Sequence, residues 1–126
     1  MKQEKIGFAR GRIKSLTFAF KGMWLLITSE PSIMVQISIS ILVCFLGWFL
    51  DISALEWILQ IFAIGLVLVA ESLNTAIEKI CDFIQPKDDH KIGWIKDVSA
   101  GAVAFAALTS ILIGLIIYLP KLSDLI

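Results

Sequence analysis

The sequence has few charged residues, two cysteines and a single histidine. Of its 126 residues, 17% are Asp, Glu, Lys or Arg, while 58% are hydrophobic. So apolar a composition excludes intrinsic disorder and favours an integral membrane protein, here predicted as one domain over residues 1–126. Eleven basic residues balance eleven acidic ones. The net charge therefore indicates no nucleic-acid partner.

Common metal and nucleotide motifs are also absent from the sequence. Cys44, Cys81 and His90 form no short Cys/His cluster, which argues against a zinc site. No G-x-x-x-x-G-K-S/T motif and no glycine-rich loop after a strand occurs, which excludes P-loop and Rossmann nucleotide sites. Any nucleotide must therefore be held by helices and a metal ion.

Three long apolar stretches predict an all-α, integral membrane fold. A helix rises about 1.5 Å per residue, so roughly 20 apolar residues cross about 30 Å of hydrocarbon. We predict spans at about 31–50, 56–79 and 98–119. Before them, residues 10–27 carry apolar side chains at steps of three and four, with basic residues elsewhere. This pattern is typical of an amphipathic surface helix, and a helix packed on the bundle is the alternative.

The distribution of basic residues predicts the orientation in the membrane. Basic residues precede the first span at Lys2, Lys5, Arg10, Arg12, Lys14 and Lys21, and others follow the second at Lys79, Lys87, Lys91 and Lys96. The turn at 51–56 has neither Lys nor Arg. Because cytoplasmic loops are enriched in Lys and Arg, we expect the N-terminus and an inner loop at 81–97 to be cytoplasmic and the C-terminus to be outside.

Polar residues within the second span form the most informative pattern. Glu71, Asn74, Thr75, Glu78 and Asp82 are spaced so that they share one face of a helix. Such a face is too costly to expose to lipid, so it should line the bundle interior or a wet cavity. Oxygen ligands suit Mg²⁺, and a partly desolvated carboxylate can act as a general base. Hydrogen bonding between helices is the structural alternative, but two glutamates are costly for that purpose.

Two further segments place charge at the same membrane level. Glu30, at the start of the first span, can join Glu78 as a second metal carboxylate. Lys96 can contact a phosphate or extend its amine to the headgroups. Asp97 can contact ligand or act as the N-cap of a helix that starts at the next residue. The small residues of 99–107 predict close helix packing.

These motifs together resemble the small prokaryotic integral-membrane diacylglycerol kinase family. The resemblance extends from about residue 12 to residue 118 and is carried by Glu71-Ser-Leu-Asn74-Thr-Ala-Ile-Glu78, Asp82, Lys96-Asp97, Arg12-Ile-Lys14-Ser and Phe20-Lys21-Gly22. It implies a kinase that uses ATP and Mg²⁺ to phosphorylate the hydroxyl of a membrane lipid. It also implies a homotrimer with active sites shared between subunits, located in the bacterial cytoplasmic membrane with the site on the cytoplasmic side.

The resemblance also implies individual roles. Glu71 corresponds to the general base on the lipid hydroxyl, and Arg12 to a basic residue near the lipid, with Arg10 as a competitor. Glu30 and Glu78 correspond to the magnesium carboxylates. The implied nucleotide-binding residues are Glu30, Asn74, Glu78, Asp82, Lys96 and Asp97. The loop from Lys87 to His90 would lie over the nucleotide.

Alternatives to this interpretation concern both the lipid and the class of protein. Diacylglycerol is the first choice of substrate and undecaprenol the second. A small oligomeric cation channel or transporter, lined by Glu30, Glu71 and Glu78, is the alternative of a different class. A pathway should continue to the outer side, yet residues 58–70 offer only Gln60 as a polar group. The residues that follow Glu30, Pro31-Ser-Ile-Met34, and the loop from Pro86 to His90 depart from the family pattern.

Overall fold

The structure, a computed structural model, describes residues 2–126, with side chains from residue 7 onward. Its four helices are α1 (Lys2–Ser29), α2 (Pro31–Phe49), α3 (Ala54–Ile84) and α4 (His90–Leu125). The last three are long and apolar enough to cross a membrane. They cover the three predicted spans except for residue 50, so the predicted all-α architecture with three spans is confirmed.

The chain divides into two units, one ending at Met34 and the other running from Val35 to Ile126. The first unit holds α1 and the first turn of α2. Helix α1 ends at Ser29 because a residue that precedes proline disfavours helical dihedral angles, and Pro31 then starts α2 at a position where a missing N–H costs nothing. The predicted surface helix at 10–27 lies within α1. Its side chains are mostly exposed, and its place at a membrane surface stays a prediction.

Helix α4 begins well before the predicted third span. Asp89 is its N-cap, since the Asp89 carboxylate accepts hydrogen bonds from the backbone N–H groups of Lys91 at 2.9 Å and Ile92 at 3.2 Å. The alternative that Asp97 caps this helix is therefore wrong, because Asp97 lies inside α4. The connection after α3 is correspondingly short: it covers residues 85–89 rather than the predicted 81–97.

Helices α2, α3 and α4 pack together at one end of the second unit, next to the turn formed by residues 50–53. Ile52, Ile117 and Tyr118 are buried there. Gly47 allows the close approach, because a Cβ atom at this position would lie 2.9 Å from both Ile52 Cδ1 and Tyr118 Oη. The Tyr118 hydroxyl lies within hydrogen-bond distance of the side-chain carbonyl of Gln60, which is 3% exposed, and of the backbone carbonyl of Val43, and these two acceptors share its one proton.

The start of α3 is fixed to α4 at this same end. Ser53 is the N-cap of α3 and forms a reciprocal capping box with Glu56, whose carboxylate also lies 3.1 Å from the ammonium of Lys121. The N–H of Ile52 donates to the carbonyl of Gly47 across the turn, and Asp51 adopts a positive φ of 52°. The turn is thus held by local backbone bonds and by one ion pair to α4.

Helices α3 and α4 form an antiparallel hairpin with small residues at the contact. Ala63 and Val67 of α3 and Ser99 and Ala106 of α4 are buried, and small side chains let helix backbones approach closely. The predicted packing role of the small residues near the start of the third span is confirmed for Ser99 and Ala106. This hairpin determines which α4 side chains meet the polar face of α3.

Candidate active site

The polar face predicted in the second span lies on one uninterrupted helix. Glu71, Asn74, Thr75, Glu78 and Asp82 all belong to α3, and their spacing puts them on one side of it. Since an α-helix rises about 1.5 Å per residue, this face extends about 16 Å. Glu71, Asn74 and Thr75 are half-buried, whereas Glu78 and Asp82 are exposed. The face therefore becomes more exposed towards the C-terminal end of α3.

Helix α4 brings a cation to the exposed end of this face. The Lys96 ammonium lies 2.6 Å from Asp82 Oδ1, and the two side chains are 37% and 59% exposed. Lys96 can be reached by an anionic ligand because its side chain is only partly covered. An ion pair this exposed adds little stability because solvent screens it. Its effect is to hold the ammonium group beside the carboxylates of α3.

Ser99 is a second α4 residue at this face, and its sequence pattern alone does not predict a role at the site. Its hydroxyl donates a 2.7 Å hydrogen bond to Asn74 Oδ1, and Ser99 itself is 7% exposed. The signal in the sequence was its position three residues after Lys96, which places both on one side of a helix. The small residues around Ser99 predict only a packing surface.

Asp97 does not share this arrangement, although it follows Lys96 directly. It lines an open pocket of about 510 Å³ together with residues of the 85–89 loop and the first turn of α4, namely Asp88, Asp89, His90, Gly93 and Trp94. Lys96 is not part of this lining. Consecutive helical residues point in different directions, so the two members of the predicted nucleotide-contacting pair face different surroundings.

Two predicted site residues, Arg12 and Glu30, belong to the other unit of the chain. The Arg12 guanidinium lies over the Phe8 ring, 5.2 Å from its centroid, in the geometry of a cation–π contact. Glu30 occupies the break between α1 and α2 and is half-buried. That Glu30 and Glu78 together bind a metal ion stays a prediction.

The carboxylates of the face offer oxygen ligands only. Among the side chains that the structure describes, no three His, Cys, Asp or Glu residues come together as a complete metal site. The exposed Glu78 carboxylate nevertheless fits Mg²⁺, which usually binds one or two protein carboxylates and fills its other positions with water and substrate phosphates. Such a donor set suits a hard cation that phosphate and water also bind.

Comparison with known proteins identifies the family to which the chain belongs. Residues 17–118 match the family described as prokaryotic diacylglycerol kinase. The chain belongs to this family. The match covers Glu30, the whole polar face of α3 and Lys96-Asp97, whereas Arg12 precedes it. Members of the prokaryotic diacylglycerol kinase family are lipid kinases, so this chain is a lipid kinase that uses a nucleotide as phosphoryl donor. Its three long apolar helices make it a multi-pass membrane protein.

Individual relatives of the family carry two different names. The undecaprenol kinase of Bacillus subtilis (strain 168) is 36% identical over 109 residues, which cover 86% of this chain and 89% of the relative. The diacylglycerol kinase of Escherichia coli (strain K12) is 28% identical over 112 residues, covering 89% of this chain and 91% of the relative. Both similarities extend over nearly the whole chain and confirm the resemblance inferred from the motifs.

Proposed function

We propose that this lipid kinase transfers the γ-phosphoryl group of Mg-ATP to the hydroxyl of diacylglycerol, giving phosphatidic acid. The observation that carries the proposal is the half-buried Glu71 on the polar face of α3, in a chain of the prokaryotic diacylglycerol kinase family. We place diacylglycerol first because the family description names it. Undecaprenol is the second candidate, because a relative of that name is 36% identical to this chain.

Glu71 acts as the general base in this proposal. Its carboxylate takes the proton from the lipid hydroxyl as the hydroxyl oxygen attacks the γ-phosphorus. The bond from the γ-phosphorus to the bridging oxygen breaks, and ADP leaves with the bonding electrons. Glu71 suits this role because it is the most deeply placed carboxylate of the polar face along α3. A membrane lipid can therefore present its headgroup there while its tails stay in hydrocarbon.

The nucleotide phosphates bind at the exposed end of the face. Phosphoryl transfer depends mainly on positioning the reactants and neutralising charge around the γ-phosphate. Lys96 supplies positive charge there, and Asp82 contributes by holding the Lys96 ammonium at 2.6 Å. Asn74 adds an amide between the two glutamates. Asp97 contacts the nucleotide from the pocket that Asp97 lines together with the 85–89 loop. The segment from Lys87 to His90 would lie over the nucleotide.

Mg²⁺ is held in this proposal by Glu78 together with Glu30. The exposed Glu78 carboxylate offers oxygen to the cation and leaves coordination positions for phosphate and water. When bound, the cation neutralises phosphate charge and orients the γ-phosphoryl group. Glu30, at the break between α1 and α2, is placed by the local backbone: its carbonyl accepts from the N–H of Met34 at 3.1 Å.

The proposal includes the assembly and its place in the cell. We infer a homotrimer in the bacterial cytoplasmic membrane, with the N-terminus and the polar face on the cytoplasmic side. The basic residues before the first span and those that follow the second span support this orientation. Large apolar side chains on the three spans are exposed, for example Phe45 at 63%, Phe62 at 72% and Ile116 at 73%, and they suit contacts with lipid and with other subunits. Arg12 is placed near the lipid headgroup, with Arg10 as the competing residue.

The test is transfer of radiolabelled γ-phosphate from Mg-ATP by purified protein in mixed micelles, with diacylglycerol and undecaprenol offered in parallel. We expect labelled phosphatidic acid from the wild type. Glu71→Gln should reduce the rate by roughly 10²–10⁴-fold, the usual contribution of a general base. If undecaprenyl phosphate is the only labelled product, undecaprenol replaces diacylglycerol as the proposed substrate. If neither lipid is labelled, both proposed substrates are refuted.

Glu56→Gln is the matched control for this substitution. Glu56 lies on the same helix but at the 50–53 turn, where its side chain takes part in the capping box. Glutamine is accepted at that capping position, so this variant removes one charge of α3 far from the proposed site. We expect it to keep wild-type activity. Full activity of Glu71→Gln would remove Glu71 from the role of base.

A further inference from the structure

The hydrogen bond between Ser99 and Asn74 determines which part of the Asn74 amide is available to the site. Ser99 donates from its hydroxyl to Asn74 Oδ1 at 2.7 Å. A side-chain amide has an oxygen that only accepts and an NH₂ group that only donates. Since this bond turns the oxygen towards Ser99 of α4, the NH₂ group points away from Ser99 and is the part of the amide that faces other partners.

The neighbours of Asn74 on its own helix are the carboxylates of the proposed site. Glu71 lies three residues before it and Glu78 four residues after it, and residues at these spacings are adjacent on a helix surface. Carboxylate and phosphate oxygens accept hydrogen bonds and cannot donate them when ionised. An amide that offers its NH₂ group suits these acceptors, whereas one that offers its oxygen would instead suit a cation.

A second serine on α4 shows what a purely structural bond of this hairpin looks like. Ser110 donates to the backbone carbonyl of Ala63 on α3 at 3.0 Å. It joins the same two helices three turns away from Ser99, but its acceptor is backbone with no side chain to orient. Ser99 instead binds a side chain whose amide turns freely about its last torsion when unbound. The bond at Ser99 therefore has an orienting effect that the bond at Ser110 lacks.

We propose that Ser99 is a positioning residue that turns the Asn74 amide so that its NH₂ group faces the reacting groups. Asn74 then serves as a hydrogen-bond donor in phosphoryl transfer and not as an oxygen ligand of the metal. This inference rests on the proposed function, because it assigns the chemistry of one group within the same site. It extends the site to a residue of α4 that touches neither the lipid nor the nucleotide.

The first experiment compares Ser99→Ala with Ser110→Ala in the micelle assay. Each variant removes one hydroxyl and one bond between α3 and α4, so we expect similar small decreases in melting temperature. Loss of one oriented hydrogen bond corresponds to about threefold to tenfold in rate. We expect Ser99→Ala to lower kcat by that amount with both KM values within twofold of wild type, and Ser110→Ala to leave kcat unchanged. Equal kcat values for the two variants, or a loss confined to KM, would overturn the proposal.

The second experiment asks directly whether Asn74 donates or ligates. Asn74→Asp keeps an oxygen that accepts from Ser99 but replaces the NH₂ group by a second oxygen. We expect this variant to lose more kcat than Ser99→Ala at every Mg²⁺ concentration. Activity kept at a lower Mg²⁺ requirement would identify Asn74 as a metal ligand and refute the inference. If the wild-type protein transfers phosphate to no lipid, the proposed function fails. If the wild-type protein is active and the Ser99→Ala variant has the same kcat, only the role of Ser99 is refuted.

Discussion

Replacing Gly47 by alanine tests the packing of the three spans at the 50–53 turn. The added Cβ would lie 2.9 Å from Ile52 Cδ1, 2.9 Å from Tyr118 Oη and 3.3 Å from the Trp57 ring. Non-bonded heavy atoms prefer separations of about 3.5–4.0 Å, so all three neighbours must shift, the two at 2.9 Å by the most. Overpacking of this kind typically costs about 1–3 kcal/mol. The shift also displaces the Tyr118 hydroxyl from its bond to the Val43 carbonyl.

A matched substitution separates this steric cost from the helix preference of alanine. Alanine is favoured over glycine within a helix by up to about 1 kcal/mol, a gain that both substitutions share. Gly65 lies within α3 and has no atom within 4 Å of its added Cβ. We therefore expect Gly47→Ala to be less stable than Gly65→Ala by about 1–3 kcal/mol, which is the steric term alone.

The assay is reversible unfolding of the purified protein in detergent micelles with increasing sodium dodecyl sulfate, followed by circular dichroism. Phosphoryl transfer by each variant is measured under conditions in which it is folded. We expect Gly47→Ala to unfold at lower denaturant and to keep its kcat, because the polar face of α3 lies several helical turns away. Equal stability of the two alanine variants would refute the close packing of Gly47 against Ile52 and Tyr118.

Three further substitutions test the site and the start of α4. Glu78→Ala should raise the Mg²⁺ concentration needed for half-maximal transfer, and an unchanged Mg²⁺ titration would exclude Glu78 from the metal site. Lys96→Met should raise the KM for ATP by about tenfold or more, since charge-assisted bonds contribute about 1.5–3 kcal/mol; Lys91→Met on the same helix is the control, and equal KM values for the two would contradict the role of Lys96. Asp89→Ala should destabilise the protein by about 1 kcal/mol through loss of the N-cap, whereas Asp97→Ala should not have this effect; the denaturant titration decides between them.

The site was predicted from the sequence as far as local spacing could predict it. Glu71, Asn74 and Glu78 share a face in any α-helix, so their arrangement depends on nothing beyond the helix itself. The role of Ser99 could not be inferred in the same way. Its partner Asn74 lies 25 residues earlier in the chain, and only the packing of α4 on α3 brings the two together.

The prediction for the start of α4 was wrong for a related reason. Asp89 and Asp97 are both suitable N-cap residues, and the sequence pattern placed the helix start at the beginning of the uncharged run. The structure begins α4 at His90, because the backbone N–H groups of Lys91 and Ile92 donate hydrogen bonds to the Asp89 carboxylate. Hydropathy indicates where a helix enters hydrocarbon, but a helix can extend beyond the membrane into water.

The sequence by itself determined the class of the protein, its three spans and the polar face of α3. These features follow from local periodicity and from the length of chain that crosses a bilayer. Only the tertiary structure decided which α4 residues meet that face, the pairing of Lys96 with Asp82, and the close contact of Gly47 with Ile52 and Tyr118. These contacts depend on the register of one helix against another, which is set by side-chain packing between residues far apart in the chain.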